Sequence, residues 1–178
     1  DLVLDSPGVY GFLGPNGAGK TTTFKIISGL IRSDAGEVRI CGNRMPSESG
    51  GALALIGVLF DSPAYYDYLT GRENLEVFAR WSGVPGGDKA DKLLSEVGLS
   101  EFAGKKVGGY SWGMKRRLGI AACLLGEPRL LLLDEPTNGL DPAGIADMRR
   151  LLPALARNEE RAVLLSSHRM DEVEQVCD

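Results

Sequence analysis

The sequence has few of the residues that build metal sites or disulfide frameworks. Its 178 residues include three cysteines and one histidine. Cys41, Cys123 and Cys177 are scattered and odd in number, so they provide neither metal-ligand spacing nor a set of disulfide pairs. This use of cysteine is typical of a protein in a reducing cytosol.

Long apolar runs and an excess of positive charge are also missing. No uninterrupted apolar stretch approaches the ~20 residues of a membrane-spanning helix, so we expect any membrane role to come through a partner. The formal net charge is -4, whereas nucleic-acid binders usually carry a concentrated basic surface. We interpret the short basic run at residues 115–117 as a solvated helix face. No nucleic-acid partner is therefore expected.

The composition is that of an ordinary soluble domain, with 43% hydrophobic and 25% charged residues. Apolar runs alternate with helical patterns, which predicts an α/β fold with a mainly parallel sheet. Strands are predicted at 9–14, 36–42, 54–60, 129–136 and 161–168. Helices are predicted at 20–30, 74–83, 88–99, 113–126, 142 to about 157, and 171–176. Thr70 with Glu73 predicts a capping box before the second of these helices.

A glycine-rich stretch between the first strand and the first helix matches the phosphate-binding loop pattern G-x-x-x-x-G-K-[ST]. It reads GPNGAGKT, residues 14–21. Glycines let the backbone curl so that several N–H groups point at one phosphate, and the following helix directs its positive end at the same charge. The predicted nucleotide contacts are Gly14, Pro15, Asn16, Gly17, Ala18, Gly19, Lys20, Thr21 and Thr22.

Two acids after the leucine run complete a second candidate site. Asp134 is placed to hold Mg²⁺ through water, together with the Thr21 hydroxyl, and Lys20 is expected to reach the β- and γ-phosphates. The adjacent Glu135 is predicted to polarise an attacking water as a general base. These residues indicate hydrolysis of ATP or GTP with Mg²⁺.

His168, the only histidine, ends an apolar strand. A single histidine at a strand end is usually structural. Parallel strands, however, bring their carboxyl ends to one edge of the sheet, where the loop and the acids also lie. We therefore predict that a neutral His168 imidazole donates a hydrogen bond to the γ-phosphate and orients the water.

The motifs follow one another in a specific order: the phosphate loop, a helical insertion, YSWGM, the leucine run with DE, NGLD and SSH. This order and spacing resemble the ATP-binding subunit of ABC transporters over essentially the whole chain. The resemblance implies a P-loop NTPase with a RecA-like parallel-sheet core, a small antiparallel β part and a helical subdomain. It also implies ATP and Mg²⁺ as cofactors and ATP hydrolysis coupled to transport, with Lys20, Glu135 and His168 as catalytic residues.

The segment YSWGM, residues 110–114, takes the place of the family signature, usually L-S-G-G-Q. In the family this segment caps the ATP that is bound by the phosphate loop of a second subunit. The resemblance thus implies that Ser111 and Gly113 bind nucleotide across a homodimer. Asp141 resembles the family's D-loop residue at the dimer seam, and its position before Pro142 also suits a helix N-cap.

Two departures from the family pattern concern the signature and one loop. Tyr110, Trp112 and Met114 differ from the usual signature, and signatures of the form S-x-G-M are similar to those of drug and peptide-antibiotic exporters of the bacitracin type. Asp61 stands where the family usually has Gln, and it is given a metal-proximal role. The resemblance implies export through a separate ABC-2-type membrane permease, with the subunit at the cytoplasmic face of the cell membrane.

We expect one ABC ATPase domain over residues 1–178, truncated at both ends. Residues 1–62 and 126–178 would form the nucleotide-binding core, and residues 63–125 the helical subdomain with the signature. A soluble ABC-type ATPase that works on ribosomes or nucleic acid is the alternative. An ATP-sensing module without turnover is a third possibility, against which Glu135 argues.

Three tyrosines, Tyr65, Tyr66 and Tyr68, closely follow the predicted strand at 54–60. They fit two interpretations equally well. They either pack the helical subdomain or line a groove that receives a cytoplasmic helix of the membrane subunit.

Overall fold

The computed structural model describes residues 1–45, 49–60, 64–158 and 160–177. The strands within these ranges are β1 (Gly8–Leu13), β2 (Val38–Ile40), β3 (Asn43–Met45), β4 (Ile56–Leu59), β5 (Leu130–Asp134) and β6 (Ala162–Ser167). The α-helices are α1 (Lys20–Ile27), α2 (Ser49–Leu53), α3 (Gly71–Trp81), α4 (Asp88–Glu96), α5 (Trp112–Leu124), α6 (Pro142–Asn158) and α7 (Met170–Val173). No helix of the described part of the chain is long and apolar enough to cross a membrane.

Four parallel strands form the main sheet in the order β1-β6-β5-β4. This confirms the predicted α/β class with a parallel core. The register aligns Leu13 with Ser167 and Asp134 with Ser166. The carboxyl ends of β1, β5 and β6 therefore meet at one edge of the sheet, and the phosphate loop leaves β1 at that edge.

Three leucines of β5 are buried, on both faces of the sheet. Leu131, Leu132 and Leu133 are all 0% exposed, as expected for a central parallel strand with helices on each side. Leu132 packs in a cluster with Phe24 of α1, whereas Leu131 and Leu133 belong to the large cluster that also includes α3 to α6. Successive residues of one strand thus connect the two helical layers.

The small antiparallel β part is a hairpin of β2 and β3, where the sequence predicted one strand over 36–42. Cys41 and Gly42 form its turn, with φ angles of 47° and 85°. A type I′ hairpin turn has positive φ angles at both of its central residues. The predicted strand corresponds to β2 but ends earlier, and β3 was missed because the Cys-Gly turn was not recognised. Helix α2 was not predicted, and α7 ends at Val173 rather than near residue 176.

Helix α3 begins with the predicted capping box. Thr70 Oγ1 accepts a hydrogen bond from Glu73 N at 3.2 Å, and Glu73 Oε2 accepts one from Thr70 N at 2.7 Å. The buried Asn74 side chain accepts from Tyr66 N at 2.9 Å and donates to the carbonyls of Tyr66 and Thr70 at 3.1 and 2.9 Å. These bonds fix the chain segment before α3 to the helix.

Candidate active site

The turn from β1 into α1 is a backbone cradle. Gly17 and Gly19 have φ angles of 83° and 93°, conformations that glycine adopts without a Cβ clash. No atom lies within 4 Å of a Cβ built at either position, so the backbone conformation rather than packing favours glycine there. Helix α1 starts without a side-chain cap, which leaves its first N–H groups available to an anion.

The Lys20 ammonium lies between this cradle and an acid. Lys20 is 8% exposed, and its Nζ donates to the carbonyls of Gly14 and Pro15 at 2.7 and 3.3 Å. The same nitrogen lies 3.3 Å from Glu135 Oε1. The cation is therefore held at the mouth of the cradle by groups that a phosphate could replace.

Asp134 receives a hydrogen bond on each carboxylate oxygen. Thr21 Oγ1 donates to Oδ2 at 2.7 Å, and Ser166 Oγ donates to Oδ1 at 2.6 Å. Asp134 is 3% exposed, so these bonds satisfy a nearly buried charge. The contact with Ser166 follows from the register of β5 and β6, which places the two residues opposite each other.

The Thr21 hydroxyl and the Asp134 carboxylate fit the predicted Mg²⁺ site. They are hard oxygen donors, and Mg²⁺ is usually bound by one or two carboxylates together with substrate phosphates and waters. Within the described ranges, no group of three or more His, Cys, Asp and Glu side chains is arranged to hold a metal. An ion at this position would therefore depend on phosphate and water oxygens. Asp61, the third predicted metal residue, lies outside the described residues.

Glu135 follows Asp134 with a φ of 48°, a conformation that costs energy for a residue other than glycine. Its backbone N–H donates to Ser166 Oγ at 3.0 Å, which stabilises the turn. One carboxylate oxygen faces Lys20, and the other lies 3.0 Å from His168 Nδ1. The structure thus brings the three residues predicted to be catalytic into one chain of contacts.

The contact between His168 and Glu135 uses the ring nitrogen Nδ1. A neutral imidazole has one donor nitrogen and one acceptor nitrogen, so a ring that donates to Glu135 through Nδ1 has only an acceptor at Nε2. The predicted hydrogen bond from a neutral His168 to a phosphate would require the ring to leave Glu135. That role stays a prediction, and the contact observed here orients the Glu135 carboxylate.

The phosphate cavity is the open space of about 300 Å³ between the cradle and the acids. Its lining from the cradle consists of Asn16, Gly17, Gly19, Lys20, Thr21 and Thr22. Asp134, Glu135 and Asn138 complete it. Of the other predicted contacts in the loop, Gly14 and Pro15 hold Lys20 through their carbonyls, and Ala18 does not line this space.

The signature segment lies outside the phosphate cavity of its own chain. Ser111 caps α5, and its Oγ accepts a hydrogen bond from Met114 N at 3.2 Å. Ser111 is exposed and Gly113 is half-buried. Neither is among the described residues that line the phosphate cavity. The site of one chain therefore does not use these two predicted nucleotide contacts.

Asp141 caps helix α6, since its Oδ1 accepts a hydrogen bond from Gly144 N at 2.8 Å. It is exposed and, like the signature residues, is not among the described residues around the phosphate cavity. The predicted N-cap is confirmed. The predicted place at a dimer seam concerns a second chain and stays a prediction.

The basic run 115–117 differs from the predicted solvated helix face. Arg116 is 1% exposed, and its Cζ lies 5.2 Å from the centre of the Trp112 ring. Lys115 pairs with Asp67 at 3.0 Å. The prediction of a solvated face was wrong because the middle residue of the run points into the protein.

Two residues of the site were missed by the sequence analysis. Ser166 supports both acids, and Asn138 lines the phosphate cavity. A signal for Ser166 was present, because it lies two positions before His168 and alternate residues of a strand share one face. Asn138 is the first residue of the NGLD motif, in which only Asp141 was given a role, and its place at the cavity depends on tertiary contacts of the loop.

The fold and this site define a P-loop nucleotide-binding domain. A family model described as ABC transporter matches residues 1–138. The chain belongs to the ABC transporter family, as its ATP-binding domain.

Two curated relatives are similar over nearly the whole chain. The uncharacterized ABC transporter ATP-binding protein YhcH of Bacillus subtilis (strain 168) is 47% identical over 170 residues, which cover 96% of this chain and 56% of the relative. The bacitracin transport ATP-binding protein BcrA of Bacillus licheniformis is 46% identical with the same coverage. The chain thus spans about half the length of the curated relatives it matches.

A solved structure has the same fold. It is cbiO1 from Clostridium perfringens, described as part of the ABC transporter complex cbiONQ. The two superpose with a TM-score of 0.88 at 26% sequence identity, over 99% of this chain and 73% of that chain. The relationship therefore extends from the sequence to the arrangement of the sheet and helices.

Proposed function

We propose that the chain is the ATP-hydrolysing domain of an ABC exporter. The observation that supports this most strongly is the convergence of Lys20, Thr21, Asp134 and Glu135 on one cavity. We propose the division into a nucleotide-binding core at 1–62 and 126–178 and a helical subdomain at 63–125.

The residues around the phosphate cavity have separate roles in phosphoryl transfer to water. The cradle N–H groups and Lys20 bind the triphosphate, and Glu135 accepts the proton of the attacking water. Thr21 and Asp134 would hold Mg²⁺, which would supply positive charge beside the phosphate oxygens when bound. Lys20 neutralises Glu135 before nucleotide binds, so the transfer of Lys20 to the phosphates frees the carboxylate to act as a base.

The positions of the signature residues favour action across a dimer. Ser111 and Gly113 lie at the amino end of α5, a helix of 13 residues, and they do not line the phosphate cavity of their own chain. A helix terminus of this kind interacts favourably with an anion. We propose that they cap the ATP bound by a second copy, with Asp141 at the same seam.

An apolar cavity of about 600 Å³ supports the proposal of a membrane partner. It lies between β4, α3 and α5, and Tyr65, Phe78 and Cys123 are among its lining residues. We propose that it receives a cytoplasmic segment of an ABC-2-type permease, which would hold the subunit at the inner face of the membrane. Tyr65 then belongs to the groove, whereas Tyr66 packs edge-on against Tyr68 with a centroid separation of 5.8 Å.

Export of a drug or peptide antibiotic is the finer part of the proposal. It is supported by the 46% identity to a protein named for bacitracin transport. The signature form S-x-G-M is consistent with it. The cargo itself is chosen by the membrane subunit in this proposal.

The variant Glu135→Gln tests the catalytic and dimeric parts together. It removes the base but keeps the shape of the side chain, so turnover should be lost while ATP–Mg²⁺ traps a dimer. Size-exclusion chromatography with and without ATP–Mg²⁺ measures the dimer, and phosphate release measures turnover.

The companion variant is Ser111→Arg in the Glu135→Gln background. It should bind ATP as a monomer, because an arginine at the start of α5 blocks the cap without touching the cradle. Normal hydrolysis by Glu135→Gln would refute the base assignment. A dimer that forms equally well with Ser111→Arg would refute the cap.

A further inference from the structure

Trp112 lies between the phosphate cavity and the apolar cavity. On the first side, its Nε1 donates a hydrogen bond to the Asn138 carbonyl at 3.0 Å, and Asn138 lines the phosphate cavity. The indole is packed against the next residue as well, since a Cβ built on Gly139 would lie 3.1 Å from Nε1. The loop after Glu135 therefore cannot move far without moving the indole edge.

On the other side, the ring face meets Arg116 and lies beside a small space that Tyr65 also lines. Arg116 Cζ lies 5.2 Å from the ring centre, and Arg116 Nη1 donates to the Phe60 carbonyl at 3.3 Å, at the end of β4. Tyr65 shares a space of about 20 Å³ with Trp112 and also lines the apolar cavity. The indole face is thus covered by Arg116, and the small space beside it is shared with one residue of the apolar cavity, Tyr65.

The contacts of Trp112 are those of a residue that links two sites rather than those of a core residue. An indole has one donor, which is used on Asn138, and its face attracts a cation most strongly where the cation is desolvated. Arg116 is 1% exposed, whereas Trp112 is 45% exposed. Burial of apolar area therefore does not account for Trp112, but its two specific contacts do.

We propose that Trp112 is a positioning residue that couples nucleotide in the phosphate cavity to the apolar cavity. The inference rests on the proposed function, because it requires nucleotide to bind at Lys20. Spatial position alone does not establish coupling, so the test measures one cavity while the other is filled.

The first experiment uses Cys123, which lines the apolar cavity. Its alkylation by N-ethylmaleimide is followed by peptide mass spectrometry with and without AMP-PNP–Mg²⁺. The rate should change by about 5-fold on nucleotide binding. In Trp112→Phe, which keeps an aromatic face but lacks the N–H donor, the change should fall below about 2-fold. Trp81→Phe, at an exposed tryptophan of α3, is the matched control and should respond like the wild type.

The second experiment leaves Trp112 in place and so does not depend on how that variant folds. In Trp81→Phe, Trp112 is the only tryptophan of the chain. AMP-PNP–Mg²⁺ should then shift its fluorescence emission. Equilibrium dialysis shows in parallel whether nucleotide is bound. If it is bound, an unshifted emission would overturn the coupling, and so would an equal change in the Cys123 alkylation rate in Trp112→Phe and in the wild type. Absence of bound nucleotide in the dialysis would instead overturn the proposed function, and the coupling with it.

Discussion

Ser166 connects the two acids of the site, and its removal should affect stability and metal dependence at once. The hydroxyl donates to Asp134 Oδ1 at 2.6 Å and accepts from Glu135 N at 3.0 Å. Ser166 is completely buried. In Ser166→Ala no water replaces the lost hydroxyl at either partner, because an alanine methyl group leaves little room for one.

The size of the effect follows from the two bonds. A hydrogen bond to a charged group is worth about 1.5–3 kcal/mol, and a neutral one about 0.5–1.5 kcal/mol. We therefore expect Ser166→Ala to lower the free energy of unfolding by about 2–4 kcal/mol. Loss of a group that orients a metal ligand typically lowers metal affinity or activity by about 10- to 100-fold, so the Mg²⁺ concentration for half-maximal turnover should rise by a factor in that range.

Ser167→Ala is the matched control, since Ser167 is a buried serine of the same strand. Its hydroxyl accepts from Arg169 N at 3.0 Å and makes no contact with either acid among the described hydrogen bonds. This variant should lose about 1 kcal/mol of stability and keep its Mg²⁺ dependence. Urea denaturation and phosphate release at varied Mg²⁺ are the assays. A loss below about 0.5 kcal/mol in Ser166→Ala, or equal Mg²⁺ dependence in both variants, would refute the reasoning.

Two further predictions concern the cap of α3 and the thiol of the apolar cavity. Thr70→Ala should lower the thermal midpoint by about 2–4 °C at pH 7. The hydrogen bonds from the Thr70 backbone and side chain lower the pKa of Glu73, so this stabilisation is present above the ordinary glutamate pKa and is lost as the pH falls through the lowered value. Because Thr70→Ala keeps the backbone N–H and removes only the side-chain contribution, the difference between variant and wild type should shrink in part in acid, and an unchanged difference near pH 3 would contradict this. Burial raises the pKa of the Cys123 thiol to about 12, so its alkylation rate should still be rising between pH 8 and 10, and a plateau below pH 9 would contradict it.

The sheet could be predicted because its strands are marked by strong local signals. The leucine run ending in Asp134 and Glu135 is too apolar for an exposed element and too short for a helix, and it forms the central strand β5. The capping box at Thr70 was equally local, since all of its atoms lie within four residues. Such patterns can be predicted because the interactions that produce them involve residues close together in the sequence.

The features that the sequence analysis missed depend on contacts between distant residues. Whether Arg116 faces solvent is decided by the Trp112 ring and the Phe60 carbonyl, 56 residues away along the chain. The support of Asp134 by Ser166 spans 32 residues and requires the strand order. The loop and the acids of the site were therefore predictable as motifs, whereas their supporting contacts required the register of the sheet.

The backbone at Glu135 has a consequence for how such a domain could lose its activity. A left-handed conformation costs roughly 1–2 kcal/mol for a residue with a side chain, and glycine would relieve it. A change from glutamate to glycine would remove this cost together with the proposed base and its contacts with Lys20 and His168. The relieved backbone would offset the lost contacts, so an inactive domain of this architecture need not be a less stable one, and its thermal midpoint would not report whether it hydrolyses ATP.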